Sequence, residues 1–250
     1  MFLAHRTTQA EYFDADRPAA ELAGFFRALA RLNRFFVFAK PFQQSLPKLL
    51  GEGRCASLSI LDLGAGDGLL GQLLSDWASQ RGWQWRVTNL DLSLVALGLN
   101  PTGCNVAGSA LALPFRSGSF DVVIASQMTH HLADAEVRQH LREAWRVSRQ
   151  ALVLCDLHRN PALYAMLWLT LRFQRFPEPF RSDGLLSVKR SWQLSELRKL
   201  AADAGIEGAQ VSLYFGARVL LQARKPGKER EFEFAPVTAR AAAASTFPRS

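Results

Sequence analysis

The feature that most constrains this chain is a five-residue turn. Ser57–Leu63 is a short β-rich run that passes directly into Gly64-Ala65-Gly66-Asp67-Gly68, and Leu69, Leu70, Leu73, Leu74 and Trp77 follow at helical spacing. That is strand, glycine turn, helix. The same alternation recurs downstream, with strands expected at 85–90, 105–107, 120–126 and 151–155 and helices at 92–99 and 133–147. Near-continuous apolar strands alternating with helices predict a doubly wound α/β fold, a mostly parallel sheet with helices on both faces.

The flanks read differently. Residues 18–37 place Leu22, Phe25, Phe26, Leu29, Leu32, Phe36 and Val37 every three or four positions, an amphipathic helix expected to stop at Pro41. A second short helix is expected over 42–50, ending at Gly51 and Gly53. After Asp156 the alternation breaks. Residues 158–190 hold an apolar helix and then a Pro-, Arg- and Phe-rich stretch that reads as an inserted lid. Ser195 opens a last helix ended by Gly205, and the runs 209–215 and 217–223, joined by Gly216, suit an antiparallel hairpin. The expected organisation is a helical cover over 1–56, a binding domain over 57–225 with the lid at 158–190, and a loose tail over 226–250.

Composition narrows the class. A 48% hydrophobic share with 21% charged residues describes a globule and excludes disorder, collagen and coiled coil as the overall class. Cys55, Cys104 and Cys155 lie far apart; an odd, sparse set favours a reducing compartment, so a cytoplasmic location is expected. The longest apolar stretch, 162–171, falls short of the roughly 20 residues a membrane span needs, and the N-terminal residues lack a secretory apolar region. The net charge of +8 reads as a generally basic surface, with no separate nucleic-acid-binding module. Cys155 with His158 has no further ligand at useful spacing, so no metal is expected.

The turn discriminates between ligands. A dinucleotide loop wants G-x-G-x-x-G, and here Leu69 stands where the third glycine belongs. Asp62 stands just before the turn and Asp67 inside it, where they would repel a pyrophosphate and attract the ammonium group of an amino acid. A nucleoside joined to a cationic amino acid is S-adenosylmethionine. Asp91, ending the second strand, is placed to accept both ribose hydroxyls, and Gly108-Ser109-Ala110 forms an edge for the adenine.

With these motifs in place, LDLGAGDG (61–68), NLDLS (89–93), GSALALPF (108–115) with FDVVIAS (120–126), and LVLCD (152–156), the sequence resembles a class I S-adenosylmethionine-dependent methyltransferase over roughly residues 57–223. The resemblance implies a seven-stranded Rossmann-like sheet with an antiparallel last strand. It implies a cofactor set of Asp62, Gly64, Ala65, Gly66, Asp67, Gly68, Asp91, Leu92, Ser109, Ala110, Ser126 and Gln127. Ser109 stands where such families usually carry an acid for the adenine amino group. His130-His131-Leu132, just after the fourth strand, matches a common H-H-L and places a general base beside the acceptor. His158 is a further candidate base.

Arg159 and Trp168 are candidate substrate contacts: the first could grip an acidic or phenolate acceptor, and the second belongs to the aromatic lid. Residues 181–190 resemble a subgroup encoded near polyketide synthases. The resulting expectation is methylation of a small hydrophobic or aromatic acceptor, chiefly O-methylation of a phenol or a quinone-like or polyketide metabolite. C-methylation of a quinone and RNA or protein methylation are the alternatives.

Overall fold

The structure is a computed structural model that describes residues 3–36, 38–100 and 103–226. The expected tail from 227 onward, Val37 and Pro101 lie outside the described residues. Seven strands form one sheet: β1 (Ser57–Leu63), β2 (Gln84–Asp91), β3 (Cys104–Ala107), β4 (Phe120–Ser126), β5 (Ser148–Leu157), β6 (Gln210–Tyr214) and β7 (Arg218–Arg224). Their order is β3-β2-β1-β4-β5-β7-β6, and β7 alone runs antiparallel to its neighbours. This is the mostly parallel sheet with an antiparallel last strand that the sequence implies.

Alternate residues of each strand face opposite layers. Ile60, Val122, Ile124 and Val153 point to one side, where they pack against Phe42 and Leu46 of α2 (Lys40–Leu50) and Leu70 and Leu74 of α3 (Leu69–Ser79). Leu61, Leu63, Val123 and Leu152 point to the other, against Leu141 and Ala144 of α5 (Asp134–Val147) and Leu197 of α8 (Leu194–Asp203). Between α3 and α5 runs the short α4 (Leu94–Gly98). With both faces covered, the strands have no polar side to show, which is why their sequences do not alternate.

A third cluster lies off the sheet. Leu32 of α1 (Ala19–Phe36) meets Leu163, Leu167 and Leu171 of α6 (Pro161–Phe173) and Phe180 and Val188 of α7 (Glu178–Arg190). Asn160 starts α6 by accepting the Leu163 amide at 2.8 Å, with Pro161 in the first turn. The Pro- and Phe-rich part of the expected lid is a short turn over 174–177 followed by α7, with Pro177 and Pro179 at and just inside the helix start, where a missing N–H is harmless. Pro41 likewise falls in the first turn of α2 instead of merely ending α1. Gly184 lets α7 approach α6, since a Cβ there would lie 3.2 Å from Leu171.

Candidate active site

At the C-terminal edge of the parallel strands lies a cavity of about 460 Å³. Its floor is the glycine turn. The amides of Gly64 and Ala65 donate to the Leu90 carbonyl at 2.8 and 3.1 Å, and the Gly66 amide donates to Asp91 Oδ2 at 2.8 Å. Asp91 Oδ1 accepts the Ser93 amide at 2.9 Å. The carboxylate that ends β2 thus staples the turn of β1 to its own strand. Gly66 has a φ of 58°, and a Cβ on it would lie 2.6 Å from the Phe26 ring, so helix α1 packs directly on the turn. Gln127, after β4, is also left-handed at φ 51°, a strained position of the kind that clusters at ligand sites.

Asp62 is the most distinctive group. It is buried, lines the cavity, and its Oδ2 has no hydrogen-bond partner among the described residues. Burial, with the nearby Asp91 charge second, pushes its carboxyl up to about 8. Two more orphaned buried polar atoms, Ser126 Oγ and Asn33 Nδ2, belong to residues of the same cavity wall. Orphans of this sort mark where a polar ligand belongs.

The second centre is a histidine turn. His130 Nδ1–H donates to Asp156 Oδ1 at 2.7 Å, and the His130 amide and Thr129 hydroxyl both donate to Asp156 Oδ2. Trp192 Nε1 donates in turn to Thr129. Burial would raise the Asp156 carboxyl, but the His130 charge and this set of donors hold it down at about 2. With Nδ1 occupied, His130 Nε2 is the free ring nitrogen, 3.8 Å from Glu11 Oε1. His131 Nδ1 lies 2.6 Å from Asp14, whose carboxyl burial would raise but His131 and Arg190 lower overall. Glu11 is pushed up to about 7, chiefly by burial.

The carbonyls of the turn are held from outside. Arg6 donates to His130 O and Leu132 O, and Arg190 donates to His130 O and His131 O. The far end of the cavity is apolar, lined by Leu22, Phe25, Leu29, Leu163, Leu167 and Phe180.

Of the residues singled out by sequence, Asp62, Gly64, Ala65, Gly66, Asp67, Asp91, Leu92, Ser126, Gln127, His130 and His131 line this cavity together. Gly68, Ser109, Ala110, His158, Arg159 and Trp168 are not part of its wall, and three of them have other occupations. Arg159 is buried and fully engaged: it grips Glu196 with both terminal nitrogens (2.9 and 2.5 Å) and donates to Leu3 O, Ala4 O and Ser191 O. It has no donor left for an acceptor. His158 Nδ1 contacts Gly216 O at 3.0 Å and so braces the hairpin turn. Trp168 sits on the outer side of α6, 51% exposed.

The structure adds residues that sequence reading missed. Glu11 and Asp14 come from the N-terminal segment, Asn33 from α1, Asp183 and Ser187 from α7, and Arg218 from β7. Glu11 and Asp14 stand three apart, which is a common spacing that singles out nothing, so no local signal pointed to them.

A family model described as a methyltransferase domain matches residues 61–154. A protein of Synechocystis sp. described as an uncharacterized methyltransferase is 32% identical over 147 residues, which cover 55% of this chain. The chain spans 65% of that relative's length. Over residues 61–154 the chain is thus similar to a methyltransferase domain.

Solved structures share the fold. A SAM-dependent methyltransferase from Aquifex aeolicus matches with a TM-score of 0.54 at 15% identity, covering 84% of this chain and 99% of that one. Human N-acetylserotonin methyltransferase in complex with SAM matches with a TM-score of 0.58 at 15% identity, covering 84% of this chain and 57% of that one.

The cavity has groups that fit S-adenosylmethionine. The orphaned Asp62 oxygen offers a buried carboxyl that an arriving ammonium group would ionise and pair with. Asp91 stands at the end of β2, where a ribose is gripped in folds of this kind. Among the described residues no helix is long and apolar enough to cross a membrane.

Proposed function

We propose that this domain methylates a small hydrophobic or aromatic acceptor, chiefly the oxygen of a phenol or a quinone-like or polyketide metabolite, with His130 as the base. The observation that carries the reading is the combination of surfaces lining one cavity: Asp62 and the glycine turn, the Asp156-held His130, and an apolar aromatic wall.

The bound cofactor supplies a methyl group already activated on a sulfonium. The protein's part is to position the acceptor and manage its proton. Leu22, Phe25, Leu167 and Phe180 exclude water around the acceptor's apolar body. His130 Nε2 takes the hydroxyl proton as the acceptor oxygen attacks, and Asp156 stabilises the imidazolium that forms. Methyl transfer to the acceptor oxygen would leave the cofactor as a neutral thioether and the acceptor's proton on His130 Nε2, with Asp156 balancing the imidazolium charge. General-base help of this kind contributes about 10²–10⁴ in rate.

The test has two stages. Calorimetric titration with S-adenosylmethionine and S-adenosylhomocysteine, with NAD as control, should give micromolar affinity for the first two and loss of both in Asp91→Ala. A panel of phenols, hydroxyquinones and polyketide phenols, with methyl position assigned by NMR, should then yield O-methyl products. Products methylated on carbon would replace O-methylation with its C-methyl alternative. Turnover confined to RNA or protein would overturn the acceptor class.

A further inference from the structure

Helix α6 carries apolar side chains all round, yet only one side of it is buried. Leu163, Leu167 and Leu171 face α1 and α7. The opposite arc holds Ala162, Ala165, Met166, Leu169 and Phe173, spaced as a single helical stripe and all exposed, with Trp168 beside it. Phe173 is 75% exposed, Leu169 49% and Met166 44%. An ordinary surface helix puts charge on that arc. Here Arg172 is its only charged residue, and α6 contains no Asp or Glu. Apolar surface concentrated in this way marks a contact site.

The surroundings say what it contacts. Arg27, Arg31 and Arg34 are exposed along one stripe of α1. Arg31 donates to the Gln174 carbonyl at 3.1 Å and lies over the Phe176 ring at 3.8 Å, which brings that stripe beside the C-terminal end of α6. Arg172 and Arg175 are exposed at the same end. None of the five is in an ion pair among the described residues. The patch is therefore aliphatic and aromatic at its centre, with a cationic collar on one flank. That is the composition of helices that lie in the interface of an anionic bilayer.

We propose that the outer face of α6, with its arginine collar, seats this domain on an anionic lipid surface. Leu163 and Leu167, on the inner face of the same helix, line the cavity. A bilayer held against the outer face therefore lies one helix thickness from the apolar end of the site. The docking surface stands whatever the methyl acceptor proves to be.

The test is co-sedimentation of the full chain with vesicles of phosphatidylcholine alone or with about a third phosphatidylglycerol, at low and high salt. Binding should require the anionic lipid, weaken with salt, and fall at least tenfold in Leu169→Ser/Phe173→Ser and in Arg172→Glu/Arg175→Glu. Leu73→Ser, an exposed leucine on α3, should bind as wild type. Thermal melting and S-adenosylmethionine affinity should be unchanged in all three, which separates failure of docking from failure of the fold or of the methyltransferase reading. Absence of binding to anionic vesicles overturns the proposal, and so does binding that the α6 substitutions leave intact. A dimer in sedimentation velocity that Leu169→Ser/Phe173→Ser dissolves also overturns it, by showing that a second copy covers the face.

Discussion

At the glycine-turn end of the cavity the wall is built by residues within 62–70, by Asp91 and the residues just after it, and by the turn after β4. At the apolar end the wall is side chains, drawn from the N-terminal segment, α1, α6, α7 and β7. The first kind of wall depends on conformations that few residues can adopt. The second depends on volume and polarity, which many residues can supply. One half is therefore restricted in sequence, and the other is free to vary with whatever it must accept.

If that division is real, substitutions at the two ends should move different quantities. The largest effect is expected at Gly66→Val: a β-branched residue at φ 58°, with a Cβ pressed on Phe26, should abolish cofactor binding in calorimetry. Next comes the junction. His130→Asn should lower kcat by about 10²–10⁴ with cofactor affinity kept within a few-fold. A parallel fall in affinity would show that the histidine belongs to the cofactor end. Arg159→Ala should leave both parameters alone but destabilise the fold by about 2–4 kcal/mol, because Glu196 and three carbonyls lose their partner. A substrate contact would instead show a raised KM in a protein of normal stability.

Asp62→Asn makes a subtler division. The folded protein holds this carboxyl at about 8, above its value of about 3.9 in an unfolded chain, so folding favours the protonated form. Its contribution is fully present below about pH 4 and is lost as pH rises toward 8. The amide cannot ionise. Asp62→Asn should raise the melting temperature of the ligand-free protein at pH 8 by a few degrees, flatten its decline between pH 4 and 8, and still weaken cofactor binding. Wild-type and variant melting curves that run parallel across that range would show that Asp62 is charged and already partnered. The smallest effect is expected at Leu167→Ala, a few-fold change in KM that depends on acceptor size, with cofactor affinity unchanged.

The same division explains what the sequence discloses. Ser57–Leu63 and Phe120–Ser126 match the observed strands because their burial on both faces leaves a continuous apolar run, and Gly64, Gly66, Asp62 and Asp91 stand out because the turn tolerates few alternatives. Glu11, Asp14 and Asn33 carry no such mark. Glu11 and Asp14 reach the cavity through tertiary packing of a segment more than a hundred residues from the histidines they face, and Asn33 reaches it from α1. Arg159 misleads for the converse reason. A cation just after a strand end looks like a ligand contact, and only the fold shows that Glu196 and the carbonyls of Leu3, Ala4 and Ser191 already occupy it.

The four hydrogen bonds from Arg6 and Arg190 to the carbonyls of residues 130–132 tie the histidine turn to two distant parts of the chain, the N-terminal segment and the last turn of α7. Such a turn is suspended, like a shelf hung from brackets on separate walls. Any swing of α7 away from the cavity must either break the Arg190 bonds or drag the imidazole out of alignment. Helix α7 and the imidazole of His130 thus share one mechanical degree of freedom.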